Sequence, residues 1–270
     1  MKRKTYFSIT LFILEALLLS RFILYPITEN GMSIGPDGAK YLNSAVNLIE
    51  LGEISIGCFP DTIPNTIAAP GYIMALSLPM KLGWTPLKAA RGVNLICYFL
   101  LLISVAIFTQ HFTGSVIMAL STETVIGFHP LILTVSAGVL SEPLSWLFII
   151  LINFILLKSI FSSSYKWAIC LGAVLGLSIL VRYAYVSFLI SAILIIAILS
   201  RRRSFREAIS MIIISIFISL LIFGPWLLRN WLLTENLVVA IRGSGTLRRN
   251  IIVSSLNWFE IVLGINKPKL

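Results

Sequence analysis

Apolar runs of about 20 residues, the length a helix needs to cross the hydrocarbon core of a bilayer, recur along this chain. With 58% hydrophobic and 12% charged residues over 270 positions, no soluble core would need that much apolar sequence, and the chain reads as an all-α polytopic membrane protein. The 17 glycines and 11 prolines are scattered through the apolar runs and form no linker, so one integrated membrane domain is expected. A net charge of +10 invites a nucleic-acid reading. Its distribution argues against one, because Lys2, Arg3 and Lys4, and Arg201, Arg202, Arg203 and Arg206, flank spans as the positive-inside rule requires. Cys58, Cys97 and Cys170 have no spacing that suggests a metal site or a disulfide framework.

The spacing predicts about seven transmembrane helices in a multi-pass protein of the plasma or inner membrane, with a cytoplasmic N-terminus. The first span, 7–25, is too long for a signal peptide and lacks a small-residue cleavage site. It carries Glu15 near its middle. An outer loop, 27–88, follows. Spans at 89–109, 115–135 and 144–160 come next. Residues 167–199 are too long for one span and are interrupted by Arg182 and Tyr183, so they read as two short helices turning at the outer surface. A last span at 208–223 leads to an outer tail with Arg242, Arg248 and Arg249. Residues 1–250 form the membrane module and 251–270 the extracytoplasmic C-terminal tail.

Chemistry is expected in the polar stretch 34–72. From Gly38 to Leu51 the apolar Leu42, Ala45, Leu48 and Ile49 recur at helical spacing, with Lys40, Asn43, Asn47 and Glu50 opposite. That pattern predicts an amphipathic helix lying along the membrane surface. Asp37 precedes the first turn at the head of the membrane-facing stripe, in line with Tyr41. It is either an N-cap or a general base pointing to the buried side. A second short helix is expected over 72–82. Arg91, Arg182 and Arg229 fall at outer ends of spans, where they anchor to lipid headgroups or together attract phosphate.

The run from Pro36 through Asp37, Tyr41, Ala45, Asn47 and Leu48 to Gly52, followed by Ala69, Pro70, Gly71 and Tyr72, resembles the first extracytoplasmic loop of membrane glycosyltransferases of the GT-C superfamily. In particular it is similar to the protein mannosyltransferase and lipid A aminoarabinose transferase group. Arg91 with Asn94, the segment Ser141 to Leu144, the glycine-bearing helix from Gly172 to Arg182, and the segment Pro225 to Asn230 follow in the expected order. The resemblance covers the family's N-terminal half, so the remainder is expected to be missing from a truncated product or supplied by a partner subunit. Gly38 stands where many relatives carry a second acid, which disfavours a paired-carboxylate mechanism.

The resemblance implies inverting transfer of a sugar from a polyprenyl-phosphate donor to a hydroxyl acceptor at the extracytoplasmic face. It implies Asp37 as base and Arg91, Arg182 and Arg229 as ligands of the lipid phosphate. Tyr41 would orient Asp37 or stack on a sugar, and Glu142 would pair with one of the arginines. No cofactor is implied; Asp37, Asp61 and Glu142 are too dispersed in sequence to define a divalent-ion site, and a divalent metal stays open should they meet in space. Two other classes stay open: a non-catalytic fragment or accessory subunit that binds lipid-linked sugar, and a small transporter using Glu15, Glu123 and His129 within the membrane.

Overall fold

A computed structural model of the protein describes residues 2–29, 31–161, 164–199 and 205–235. The expected tail, with Arg242, Arg248 and Arg249, lies outside the described residues, as does the run Arg201 to Arg203.

Helix α1 (Lys2–Leu19) passes through a π-helical turn, Ser20–Leu24, into α2 (Tyr25–Glu29). The segment between α2 and the next long helix holds α3 (Pro36–Glu50), a two-stranded antiparallel hairpin of β1 (Ser55–Ile56) and β2 (Ile63–Pro64), and α4 (Pro70–Lys81). Next come α5 (Pro86–Thr113), α6 (Val116–Gly127), α7 (Pro130–Ser136) and α8 (Glu142–Phe161). The described chain closes with α9 (Tyr165–Val181), a 3-10 turn (Tyr183–Tyr185), α10 (Val186–Leu199) and α11 (Phe205–Thr234).

Among the described residues, four helices are long and apolar enough to cross a membrane: Phe7–Glu29, Pro86–Thr113, Glu142–Ser159 and Arg206–Thr234. Helices α6 and α7, bent by 58° across Phe128 and His129, make a fifth span if the pair is counted as one. The expected seven are therefore not reached. Helices α9 and α10, at 17 and 14 residues, are about 25 and 21 Å long at about 1.5 Å per residue, short of a hydrocarbon core of about 30 Å. The break between them falls at Arg182, as the sequence predicts. The last span differs: α11 continues through Pro225 to Thr234, well past the predicted end at 223.

Small residues decide which helices approach most closely. Gly172 and Gly176 lie one turn apart on α9, and a Cβ on Gly176 would sit 2.9 Å from both the Ser219 carbonyl oxygen and Ile222 Cβ of α11. With no driving force from water between apolar helices in lipid, contact of this kind depends on backbones coming close enough for van der Waals packing. The seam is fastened by Ser215, whose hydroxyl donates to the Ala168 carbonyl at 2.9 Å. Leu171, Leu175 and Ile179 extend it into a core with Ile196, Phe223 and Trp226. A second core joins α1 and α5 through Ala16, Leu24, Tyr98 and Leu102.

The segment between α2 and α5 differs from the expected helix lying along a membrane surface. The apolar face of α3 packs inside the protein, where Ala45 meets Tyr72, Ile73 and Leu76 of α4 and Ala90 of α5. Its polar face holds the hairpin: Asn43 Nδ2 donates to the Gly57 carbonyl at 3.2 Å while its Oδ1 accepts from the Gly57 amide at 2.8 Å. Asn47, buried, donates to the Ser55 and Gly57 carbonyls at 3.2 and 3.1 Å. Amphipathic spacing reported correctly that two faces differ, but the polar one is covered by backbone carbonyls and amides.

Candidate functional site

The loop α3–β1–β2–α4 caps one end of the helix bundle, where α2, α7, α9 and α11 end and α5 and α8 begin. Backbone pairing fastens it there: the Ser33 amide donates to the Ala137 carbonyl at 3.1 Å, and the Val139 amide returns a bond to Ser33 at 2.9 Å. Asn94 on α5 accepts from the Tyr72 hydroxyl at 2.9 Å and donates to the Ser136 and Gly138 carbonyls at 3.1 and 2.6 Å. Buried in an apolar surround, each of these polar groups would cost about 1–3 kcal/mol if left unpaired, so Asn94 locks α4 and the 136–138 segment to the bundle.

Tyr41, on the inner side of α3, is the meeting point of the polar residues at this end. Its hydroxyl lies 3.3 Å from Ser141 Oγ, and its ring meets Tyr72 edge-on with centroids 5.2 Å apart. Burial pushes the Tyr41 hydroxyl above the usual tyrosine range; the Ser141 hydrogen bond and the Arg182 charge oppose this, while Asp37 and Glu142 reinforce it. Asp37, Glu142 and Arg182 are thus all within electrostatic reach of one phenol. Arg182, on the last residue before the 3-10 turn, pairs with Glu142 at the start of α8. Beside it, Tyr183 Oη accepts from Trp226 Nε1 at 2.7 Å and donates to the Ala68 carbonyl at 3.3 Å.

Asp37 does not point inward. Helix α3 begins with Gly35 as N-cap and Pro36 in its first turn, so Asp37 stands inside the first turn and is not the cap. The close approach at this turn is made by Gly38, where a Cβ would lie 2.7 Å from the Val139 carbonyl oxygen. Asp37 projects beside that contact. Its side chain is 72% exposed, and Lys40 Nζ lies 3.4 Å from its Oδ1. A carboxylate in a first turn is favourable to the helix dipole, which accounts for the residue type without any chemistry.

Arg91 and Arg229 border different cavities, and Arg182 lines neither of these two. Arg229 borders a groove of about 580 Å³ between the hairpin and α11, walled by Leu48, Ile54, Pro64, Trp226, Leu232 and Leu233. It donates to the Asn65 and Ile54 carbonyls at 3.3 and 3.0 Å and to Asn230 Oδ1 at 2.9 Å, and its guanidinium sits 4.5 Å from the Trp226 ring centre. No carboxylate forms an ion pair with it among the described residues, although Glu53 lines the same groove. Arg91 borders a different cleft, of about 340 Å³, and rests 5.1 Å over the ring of Tyr25. Arg182 is committed to Glu142.

Sequence reasoning used Tyr183 only as an interruption of an apolar run and Trp226 only as part of a family segment, and it passed over Asn65; together these carry contacts between α11 and the loop. Tyr183 had a signal in its place directly after Arg182 in an apolar run; Asn65, in a loop with no charged neighbour but Asp61, had none. Within the bundle, Thr124 donates to Glu15 across α1 and α6. Glu123 is fully buried, and neither carboxyl oxygen has a hydrogen-bond partner in the structure. His129 is exposed at the bend between α6 and α7. No group of three or more His, Cys, Asp or Glu residues is placed to hold a metal ion among the described residues. The sequence matches no protein-family model and no curated protein.

Proposed function

We propose that the chain is a membrane glycosyltransferase module that moves a sugar from a polyprenyl-phosphate donor to a hydroxyl acceptor at the extracytoplasmic face. The observation that carries this reading is Arg229 on the groove between hairpin and α11. Neutral carbonyl oxygens, not a carboxylate, hold its guanidinium, so its charge stays available to an anion, and the leucine-rich wall suits a long isoprenoid chain. In the reaction the acceptor hydroxyl gives its proton to Asp37, its oxygen bonds to the anomeric carbon, and the bond from that carbon to the phosphate oxygen breaks with inversion. The electron pair leaves on the lipid phosphate, whose charge Arg229 meets. The Arg182–Glu142 pair and the Tyr41 hydroxyl would order the polar groups on the Asp37 side of the reaction.

A non-catalytic relative that binds lipid-linked sugar is favoured by one observation, the exposure of Asp37 and its pairing with Lys40. Asp37→Asn and Arg229→Ala separate the readings. In membranes supplied with radiolabelled polyprenyl-phosphate sugar, the enzyme reading expects Asp37→Asn to retain donor and lose transfer, and Arg229→Ala to lose both. Donor binding that depends on Arg229, with no transfer even by the unaltered chain, leaves the binding protein. Transfer that survives Asp37→Asn removes the base.

A further inference from the structure

Arg91 stands apart from the Arg229 groove, and the cleft it lines has a different character. The cleft runs between the end of α2 and the start of α5, with Glu29 on one side and Lys88 and Arg91 on the other. Thr85, Met32 and Leu87 complete much of its wall. Glu29, Lys88 and Arg91 take part in no ion pair within 4.0 Å among the described residues. Opposite charges that share a small cleft without closing on one another leave both signs available to a ligand that itself carries both.

Two further features set where such a ligand comes from. Thr85 is the N-cap of α5 but its side chain makes no capping bond, so the first-turn amides beside Lys88 lack that acceptor and add positive potential on the same side of the cleft. Leu87 in the lining, and Ile27 and Trp84 next to the lining residues Thr28 and Thr85 along the chain, are exposed, at the ends of two spans. Large apolar and aromatic side chains in that position mark the boundary between headgroups and acyl chains.

We infer that this cleft binds the headgroup of a zwitterionic phospholipid, its phosphate on Lys88 and Arg91 and its primary ammonium on Glu29. The cation–π stack of Arg21 and Arg91 on Tyr25, at 4.8 and 5.1 Å, holds Arg91 in place for the phosphate. An anionic lipid lacking the ammonium would gain the cations but leave Glu29 unmatched, and choline, whose quaternary nitrogen has no N–H to donate, would match it poorly. At about 340 Å³ the cleft is at the small end of ligand pockets, which suits a headgroup whose acyl chains stay outside among the rim side chains.

The test needs no sugar donor, so its result is independent of the glycosyltransfer reading. The full chain, purified in detergent, is titrated with phosphatidylethanolamine, phosphatidylglycerol and phosphatidylcholine, and bound lipid is counted by native mass spectrometry. Phosphatidylethanolamine is expected to bind best. Glu29→Gln should lower its affinity about two- to fivefold, the scale of an exposed ion pair, and leave phosphatidylglycerol unaffected or bound more tightly. Lys88→Ala should weaken phosphatidylethanolamine and phosphatidylglycerol alike. Glu29 and Lys88 are both exposed, so neither change threatens the fold. Equal binding of the three lipids, indifference to both substitutions, or displacement of lipid by equimolar soluble glycerophosphoethanolamine would overturn the assignment.

Discussion

Tyr41 concentrates the electrostatics of the polar end in one phenol, and its titration can be read in isolation. Its hydroxyl is held above the usual value of about 10 first by burial. A group whose folded pKa lies above its unfolded one stabilises the fold fully below the unfolded value, and that contribution is lost as pH rises through the folded one. The difference in tyrosinate absorbance between the unaltered chain and Tyr41→Phe should therefore have its midpoint above pH 10, and the stability difference between them should narrow over the same interval. At neutral pH the substitution should cost about 1 kcal/mol for the lost bond to Ser141, measured by thermal unfolding in detergent. A midpoint at the usual value would mean the ring is solvated. The sequence marks Tyr41 by its place on the apolar stripe. It does not reveal that Asp37, on the same stripe, lies past the edge of the covering segment, because helical spacing gives an angle around the axis and says nothing about where the neighbouring chain stops.

At the scale of elements, the seam between α9 and α11 fixes where Arg182 and Arg229 emerge. Gly176→Ala would place a methyl 2.9 Å from backbone and side-chain atoms of α11, tighter than packed atoms tolerate, and the helices must part. An overpacking cost of about 1–3 kcal/mol is expected, seen as a lower melting temperature, whereas Gly224→Ala, which meets nothing within 4 Å, should be close to neutral. The break at Arg182 was legible because a charge and a tyrosine interrupt an apolar run that exceeds one span. The length of α11 was not: Gly224 and Pro225 look like a stop, yet proline is tolerated within helices that cross membranes. The aromatic Trp226 beyond it is drawn back onto the bundle by its bond to Tyr183.

For the whole molecule, the question is which side of the membrane the capped end faces. All-α architecture and several spans were legible from composition and run length, since burying so much apolar sequence in lipid requires helices. Their number was not, because α9 and α10 carry enough apolar residues to be counted as spans, while their described lengths fall short of a hydrocarbon core. Sidedness rests on the basic flanks at residues 2–4 and 201–206, and every role proposed for Asp37 and Arg229 depends on it. Cysteine chemistry can report it without new sites. Cys58 is exposed in the hairpin turn, Cys97 is buried, and Cys170 is exposed on the apolar surface of α9, where a charged reagent in water does not reach it. A membrane-impermeant maleimide added to intact cells, after removal of any outer barrier, should label the protein, and Cys58→Ser should abolish the label. Labelling that appears only after the membrane is opened would put the Arg229 groove on the cytosolic side, where positive-inside charge at Arg91, Arg182 and Arg229 needs no ligand to explain it, and transfer at the outer face would have to be abandoned.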